Sequence, residues 1–390
     1  MDTYYYDGRF PEALESMTPL PPAAPSIRVA VNAIHARSGG GVTYLANMIP
    51  RLAADPRVEV HPILMEDQVG LFAPFDAGVR VRVVPSRRGL VRLTAWEQLV
   101  LPGLARELGA EVLFTPGNYG CFLFSRNVIL LRNAVAVAAS EPRIAMKVYW
   151  AVLTAVTRLA AATATRVIAV SDYALRALAP GIGSGAGGKG HVIPHGVSAR
   201  YCPDPAVRRE DFILVVADIY SQKNLLNFAR AVALLRARHP SLRVRIAGAA
   251  VDAEYAAQLA AEIRALDLEG TIALLGRQTP DVLLDLYRRC RFLVFPSTAE
   301  TFGNPLVEAM ACATPIACSD KTAMPEVVGE AALLFDPHAP EAIAGAMERL
   351  LTSPELCAEL AAKGLERSRL YSWEKAAKAT ADVLALAAAR

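Results

Sequence analysis

Paired thiols are missing from this sequence. Its 390 residues include six cysteines, no two of them arranged as C-x-x-C, and no cysteine–histidine set has zinc spacing. A disulfide scaffold and a zinc module are thereby excluded, and reduced, buried thiols in a cytoplasmic setting are expected. An excess of one charge is missing too. The 41 basic and 38 acidic residues leave a net charge of +3, with no basic tract interleaved with aromatics, so nucleic acid is not expected as a partner. No Asp-x-Asp, a common metal-holding spacing, occurs. No clean membrane span exists either. The longest apolar candidate, residues 144 to 165, is interrupted by Lys147 and Arg158, which predicts a buried or amphipathic core helix and leaves peripheral membrane contact open. Residues 1–26 lack a basic start and an apolar stretch. They read as a polar, proline-containing lead-in, not a signal peptide.

What is present is a repeating alternation. Hydrophobic residues make up 53% of the chain, enough for two full cores. Short β-branched runs such as IRVAVN (27 to 32), EVLFTP, NVILLR and RVIAVS are separated by helical stretches. After residue 195 the pattern restarts with FILVVAD, RVRIAG, TIALLG, FLVFPS and TPIACS. This predicts an α/β chain of two Rossmann-like domains facing across a cleft, with parallel sheets covered on both faces. The expected division is 27–204 and 205–370, with a C-terminal helix over 371–390 packing back on the first domain. The glycine-rich GIGSGAGGKG, 181 to 190, lacks the order of a phosphate-binding loop and precedes a strand, so it reads as a surface loop.

Three stretches after strands carry chemistry. SGGGVTY, 38 to 44, lets the backbone approach a ligand closely and aims a helix N-terminus at it; a ligand-free tight turn is the alternative. It is not G-x-G-x-x-G, which disfavours a dinucleotide. SQKN, 221 to 224, puts Lys223 beyond the first strand of the second half, suited to a phosphate, or else simply solvated. AETFGNPLVEA, 299 to 309, sets Glu300 and Glu308 on either side of a helix start. Asn304 reads as the N-cap and Pro305 as the first helical residue, leaving the amides of Leu306 and Val307 for an anion. Carboxylates accept hydrogen bonds from neutral hydroxyls, so a diphosphate on the helix end can carry a hydroxyl-bearing group to each acid. The alternative is a favourable first-turn acid and a solvated loop acid.

In their order and wording these stretches resemble the retaining glycosyltransferases of family 4, of GT-B fold. The resemblance is carried by PSTAETFGNPLVEAMACATPIACSD, with SGGGV, VIAVSD, VIPHGV, QKN, RIAG, LLGR and YSWEKAAKATADVL in the family's sequence. It implies a metal-independent, retaining transfer from a nucleoside-diphosphate sugar (UDP- or GDP-linked) to a sugar or other hydroxyl acceptor. No cofactor or metal is implied. Site roles follow from matched positions. Glu300 contacts the donor sugar, with Arg132 and Asn133 near the reacting centre. Glu308 holds the ribose, and Phe302, Gly303, Asn304, Leu306 and Val307 form the backbone cradle. Gly40, Gly41 and Lys223 lie at the phosphates, Arg277 at the base, and Asn118 and Tyr119 on the acceptor side. Two departures stand out: Asp218 occupies a position where the family often has arginine, and Arg132–Asn133 replaces a frequent His-Asp. A sugar-nucleotide epimerase of the same fold and a catalytically degenerate binding protein are the rival readings. A location in the cytoplasm, at the inner face of the membrane if peripheral contact exists, would follow. Oligomeric state is not legible.

Overall fold

β-branched, buried runs become the strands of two separate sheets. The computed structural model describes residues 26–37, 39–72, 75, 79–86, 89–132, 144–184 and 188–389. The lead-in to residue 25 and Asn133 lie outside the described residues, as do Ser38 and part of the 181–190 loop. The first sheet contains β1 (Ile27–Asn32), β2 (Val58–Met65), β3 (Arg82–Val84), β4 (Val112–Thr115), β5 (Asn127–Leu131), β6 (Arg166–Ala169) and β7 (Gly190–Val192). The second contains β8 (Ile213–Val216), β9 (Val244–Ala247), β10 (Ile272–Gly276), β11 (Phe292–Phe295), β12 (Ile316–Ser319) and β13 (Leu333–Phe335). The sequence reading did not anticipate β13. It is three residues long at the sheet edge, and its first two leucines are only partly covered.

Strand order is β3-β2-β1-β4-β5-β6-β7 in one sheet and β10-β9-β8-β11-β12-β13 in the other. Every pairing is parallel. In each sheet the order therefore reverses beside the first strand: β1 lies between β2 and β4, and β8 between β9 and β11. Ligands of open α/β sheets settle at such switch points, outside the carboxyl ends of the strands. The two α/β halves are Rossmann-like and together make the GT-B arrangement.

Several bonds join the halves. Ser171 Oγ donates to the Thr301 carbonyl at 2.6 Å, and Thr301 Oγ1 donates to the Arg132 carbonyl at 2.5 Å. Glu326 accepts from the amides of Asp172 and Tyr173 at 2.7 and 2.9 Å, capping the helix Asp172–Leu178 from the opposite half. The last helix, Trp373–Ala388, lies against the helix Gly39–Ala53 of the first half. Ion pairs Arg51–Glu374 and Arg57–Asp382 fix its outer face. On its inner side a Cβ at Gly196 would sit 2.1 Å from the Trp373 nitrogen, so the linker and the crossing helix touch backbone to backbone. Ile144–Thr163 is helical, and no helix among the described residues is long and apolar enough to cross a membrane.

Candidate active site

Between the two switch points runs a cleft of about 1430 Å³. Gly40, Gly41, Tyr119, Arg132, Lys223, Arg277, Glu300, Phe302, Gly303, Asn304 and Glu308 all line it. Loops after β1, β4 and β5 supply one wall, and loops after β8, β10 and β11 the other. Asn118 is not among the lining residues. It is 1% exposed, and its Oδ1 accepts from the Arg132 amide at 3.0 Å, so it supports the wall from behind. That corrects its expected place on the acceptor side. The Leu306 and Val307 side chains are fully buried in the second half.

The helix after β11 starts one residue earlier than the sequence suggests. It spans Asn304–Ala311, and Gly303 at φ +95° is the cap. A backbone turned this far favours glycine. Asn304 is freed from capping, and its Oδ1 instead accepts from His195 Nδ1 at 3.1 Å. The Leu306 amide donates to the Gly303 carbonyl at 3.0 Å, which closes the first turn and removes that amide from any ligand.

The two acids sit in different surroundings. Glu308 accepts from Tyr287 Oη at 2.8 Å, and burial pushes its carboxyl up to about 7, against the opposing Tyr287 bond and Arg200 charge. Glu300 is paired with Lys223 at 2.5 Å, both side chains nearly covered at 14% and 12% exposure. Burial disfavours the Lys223 charge, but Glu300 and Tyr220 outweigh it and hold the ammonium above its ordinary range. The lysine also lies 5.4 Å from the Phe295 ring centre.

Arg132 stands opposite, at the end of β5. Its Nε donates to the Pro116 carbonyl at 2.9 Å, and its other two nitrogens lie where a side chain on Gly41 would be, 2.6 and 3.0 Å from a built Cβ. Burial lowers its pKa, and no carboxylate pairs with it among the described residues. A desolvated cation without a counter-charge is a place for an anion. Asp218, by contrast, is occupied: its Oδ1 accepts from the Ala249 amide at 2.8 Å.

His195 touches both halves. It stacks on Trp373, lies 5.3 Å from Tyr44 and from Phe302, and burial lowers its pKa to about 4. Reasoning from sequence missed Glu97. Glu97 is 3% exposed, and its Oε1 accepts from Asn32 Nδ2 and lies against His35 Nε2, both at 2.7 Å. Among the described residues, no group of three or more His, Cys, Asp or Glu is placed to hold a metal ion. All six cysteines are free.

Comparison with known proteins bears on this site. The family model of glycosyl transferases group 1 matches residues 204–367. O-antigen chain mannosyltransferase B of Escherichia coli is 37% identical over 118 residues, 30% of this chain and 31% of that protein. A D-inositol 3-phosphate glycosyltransferase of Streptomyces griseus is 36% identical over 162 residues, 40% of this chain and 34% of the other. The chain thus spans about a third of the length of these relatives. Among solved structures, sucrose-phosphate synthase of Thermosynechococcus elongatus superposes with a TM-score of 0.74 at 18% identity, covering 92% of this chain and 98% of that one. HepE of Anabaena, solved with UDP and glucose, gives 0.74 at 18% identity over 92% and 99%. At that identity the structures speak for the fold. The family match thus falls on the half that carries Lys223, Glu300 and Glu308, where residues 204–367 are similar to the glycosyl transferases group 1, and the whole chain has a GT-B fold.

Proposed function

We propose that this protein transfers a sugar from a nucleoside-diphosphate sugar to an acceptor hydroxyl, with retention of anomeric configuration and without a metal ion. One observation carries the reading. The N-terminus of the helix Asn304–Ala311 is flanked by Glu300 and Glu308 and faced by two cations, Lys223 from the same half and Arg132 from the other. A diphosphate fits between them, its ribose toward Glu308 and its sugar toward Glu300, with Phe302, Gly303 and Asn304 along it and Arg277 toward the base. Gly41 keeps the Arg132 guanidinium close, and Gly40 leaves the backbone approachable.

In this reading the departing phosphate takes the acceptor's proton on the face it leaves. The chain supplies alignment and electrostatic stabilisation: Lys223, Arg132 and the helix dipole balance charge as it builds on the diphosphate. Arg132 stands in for the cation that Asp218 does not provide. The mannosyltransferase and inositol-phosphate relatives favour a sugar or polyol acceptor, and HepE with UDP illustrates one donor base. The free thiols fit a reducing compartment, the cytoplasm. The test is a panel of UDP- and GDP-sugars assayed for nucleoside-diphosphate release in excess EDTA, with proton NMR of the product's anomeric signal. Turnover lost in EDTA and restored by Mn²⁺, or an inverted linkage, overturns the reading. Isomerised nucleotide sugar without transfer would favour an epimerase.

A further inference from the structure

Glu97 is a buried carboxylate that the reading above does not use. It sits near the end of the helix Leu90–Leu99, and its Oε1 meets Asn32 Nδ2 and His35 Nε2, both at 2.7 Å. Gln98, the next residue, fastens a second loop: its Nε2 donates to the Gly120 carbonyl at 3.0 Å and its Oε1 accepts from the Phe122 amide at 2.9 Å. Two consecutive helix residues thus anchor the loops that follow β1 and β4, neighbours in the sheet at its switch point. Those loops present His35 and Tyr119 to the cleft, ring edge to ring face at 5.8 Å.

The bonding decides the imidazole's chemistry. A carboxylate only accepts, so Nε2 carries the hydrogen it donates to Glu97. In the neutral ring Nδ1 is then a bare acceptor on a cleft-lining residue, and no protein donor meets it among the described residues. Tyr119 supplies the complementary group. Burial, with the nearby Tyr149 and Glu97, pushes its phenol up to about 12, so it keeps its O–H. A single buried hydrogen bond contributes little net stability, because it replaces bonds to water. Here it fixes one tautomer and one orientation at the ligand-facing end of the sheet.

We propose that His35 and Tyr119, set by Glu97 and Gln98, form the binding platform for the acceptor, and that the acceptor is a neutral polyol. His35 Nδ1 accepts a hydrogen from a hydroxyl adjacent to the one that attacks, and the Tyr119 phenol bonds a further hydroxyl. This rests on the transferase reading, to which it adds the residues that hold the acceptor. His35 and Tyr119 touch the acceptor; Glu97 acts through His35 as a positioning residue.

Long-range proton–nitrogen NMR of the six histidines tests this on the full chain. The protein is saturated with UDP or GDP, then titrated with methyl α-D-mannopyranoside and, separately, myo-inositol. Loss of one signal set in His35→Gln assigns the ring. The expected result is an Nε2–H tautomer at His35 and a saturable shift of its Nδ1 with at least one polyol. Tyr119→Phe should weaken that binding about tenfold. In both variants the dissociation constant of UDP or GDP should stay within about twofold of wild type, since the removed groups bond neither acid nor cation of the donor side. A ring that ignores both polyols, an Nδ1–H tautomer, or nucleotide affinity falling in step with polyol affinity overturns the proposal. If no nucleotide binds wild type, the donor reading fails separately.

Discussion

Lys223 and Glu300 already satisfy each other at 2.5 Å, so under the transferase reading a phosphate would compete with Glu300 for the lysine. An intact nucleotide sugar can compensate the displaced acid through its sugar hydroxyls; a free nucleoside diphosphate cannot. Glu300→Gln should therefore bind free UDP or GDP more tightly than wild type, by about 1 kcal/mol, while Lys223→Ala binds it more weakly by about 1.5–3 kcal/mol. Calorimetry reads both, and a Glu300→Gln variant with weaker binding would show that the acid supports the phosphate site. Glu308 yields a pH dependence. Its carboxyl, pushed up to about 7 by burial, loses its proton across neutrality and, under the transferase reading, would only then accept fully from ribose hydroxyls. Nucleoside-diphosphate affinity should rise as pH goes from 6 to 8, with a slope that Glu308→Gln flattens. Folding stability runs the other way. The folded state holds that proton more tightly than the unfolded chain, so this group's contribution declines as pH rises from the ordinary carboxylate range toward 7. Phosphate ionisation is common to both proteins, so the difference between them isolates the residue.

At the scale of elements, the glycine loop and the end of β5 work as one unit. Gly41 lies inside the helix Gly39–Ala53, where alanine would ordinarily add about 0.5–1 kcal/mol of stability. A Cβ there, however, falls 2.6 Å from an Arg132 nitrogen whose neighbour Nε is tied to Pro116. The clash should thus offset that gain, leaving Gly41→Ala within about 1 kcal/mol of wild type by urea titration, while nucleoside diphosphate binds about tenfold more weakly through a displaced guanidinium. Weakened stability with intact affinity would dissociate the loop from Arg132. Elements of this kind were readable in the sequence because buried parallel strands are unbroken β-branched runs, and glycine, lysine and acids punctuate their carboxyl ends. The cap was misplaced by one residue because Asn-Pro mimics a capped start, while the positive φ of Gly303 leaves no separate mark. The Glu97–His35 pair could not be read, because its members stand 62 residues apart and nothing in the local sequence links them.

For the whole molecule, hydrogen bonds and shared apolar packing together set the relation of the two halves. Glu326 caps a helix of the opposite half through two amides and is itself exposed. Glu326→Ala should cost about 1 kcal/mol, the usual worth of an N-terminal cap, and should expand the radius of gyration seen by X-ray scattering. An unchanged radius would mean that the crossing helix and the His195 cluster hold the halves without it. His195 sets an acid limit on that cluster. Its pKa of about 4 lies below that of an ordinary histidine, so its stabilising contribution is complete above pH 6.5 and is lost as pH falls toward 4. Thermal melts across that window should drop more steeply for wild type than for His195→Phe.

Thr301 joins the halves twice, through its hydroxyl to Arg132 and through its carbonyl to Ser171, and it directly follows Glu300. Under the transferase reading, separating the halves breaks both bonds and drags the sugar-holding acid out of register with the nucleotide. The seam then behaves as an interlock. A donor bound while the seam is parted would then have its nucleotide held and its sugar unaligned, so transfer would be confined to the posture in which the halves meet.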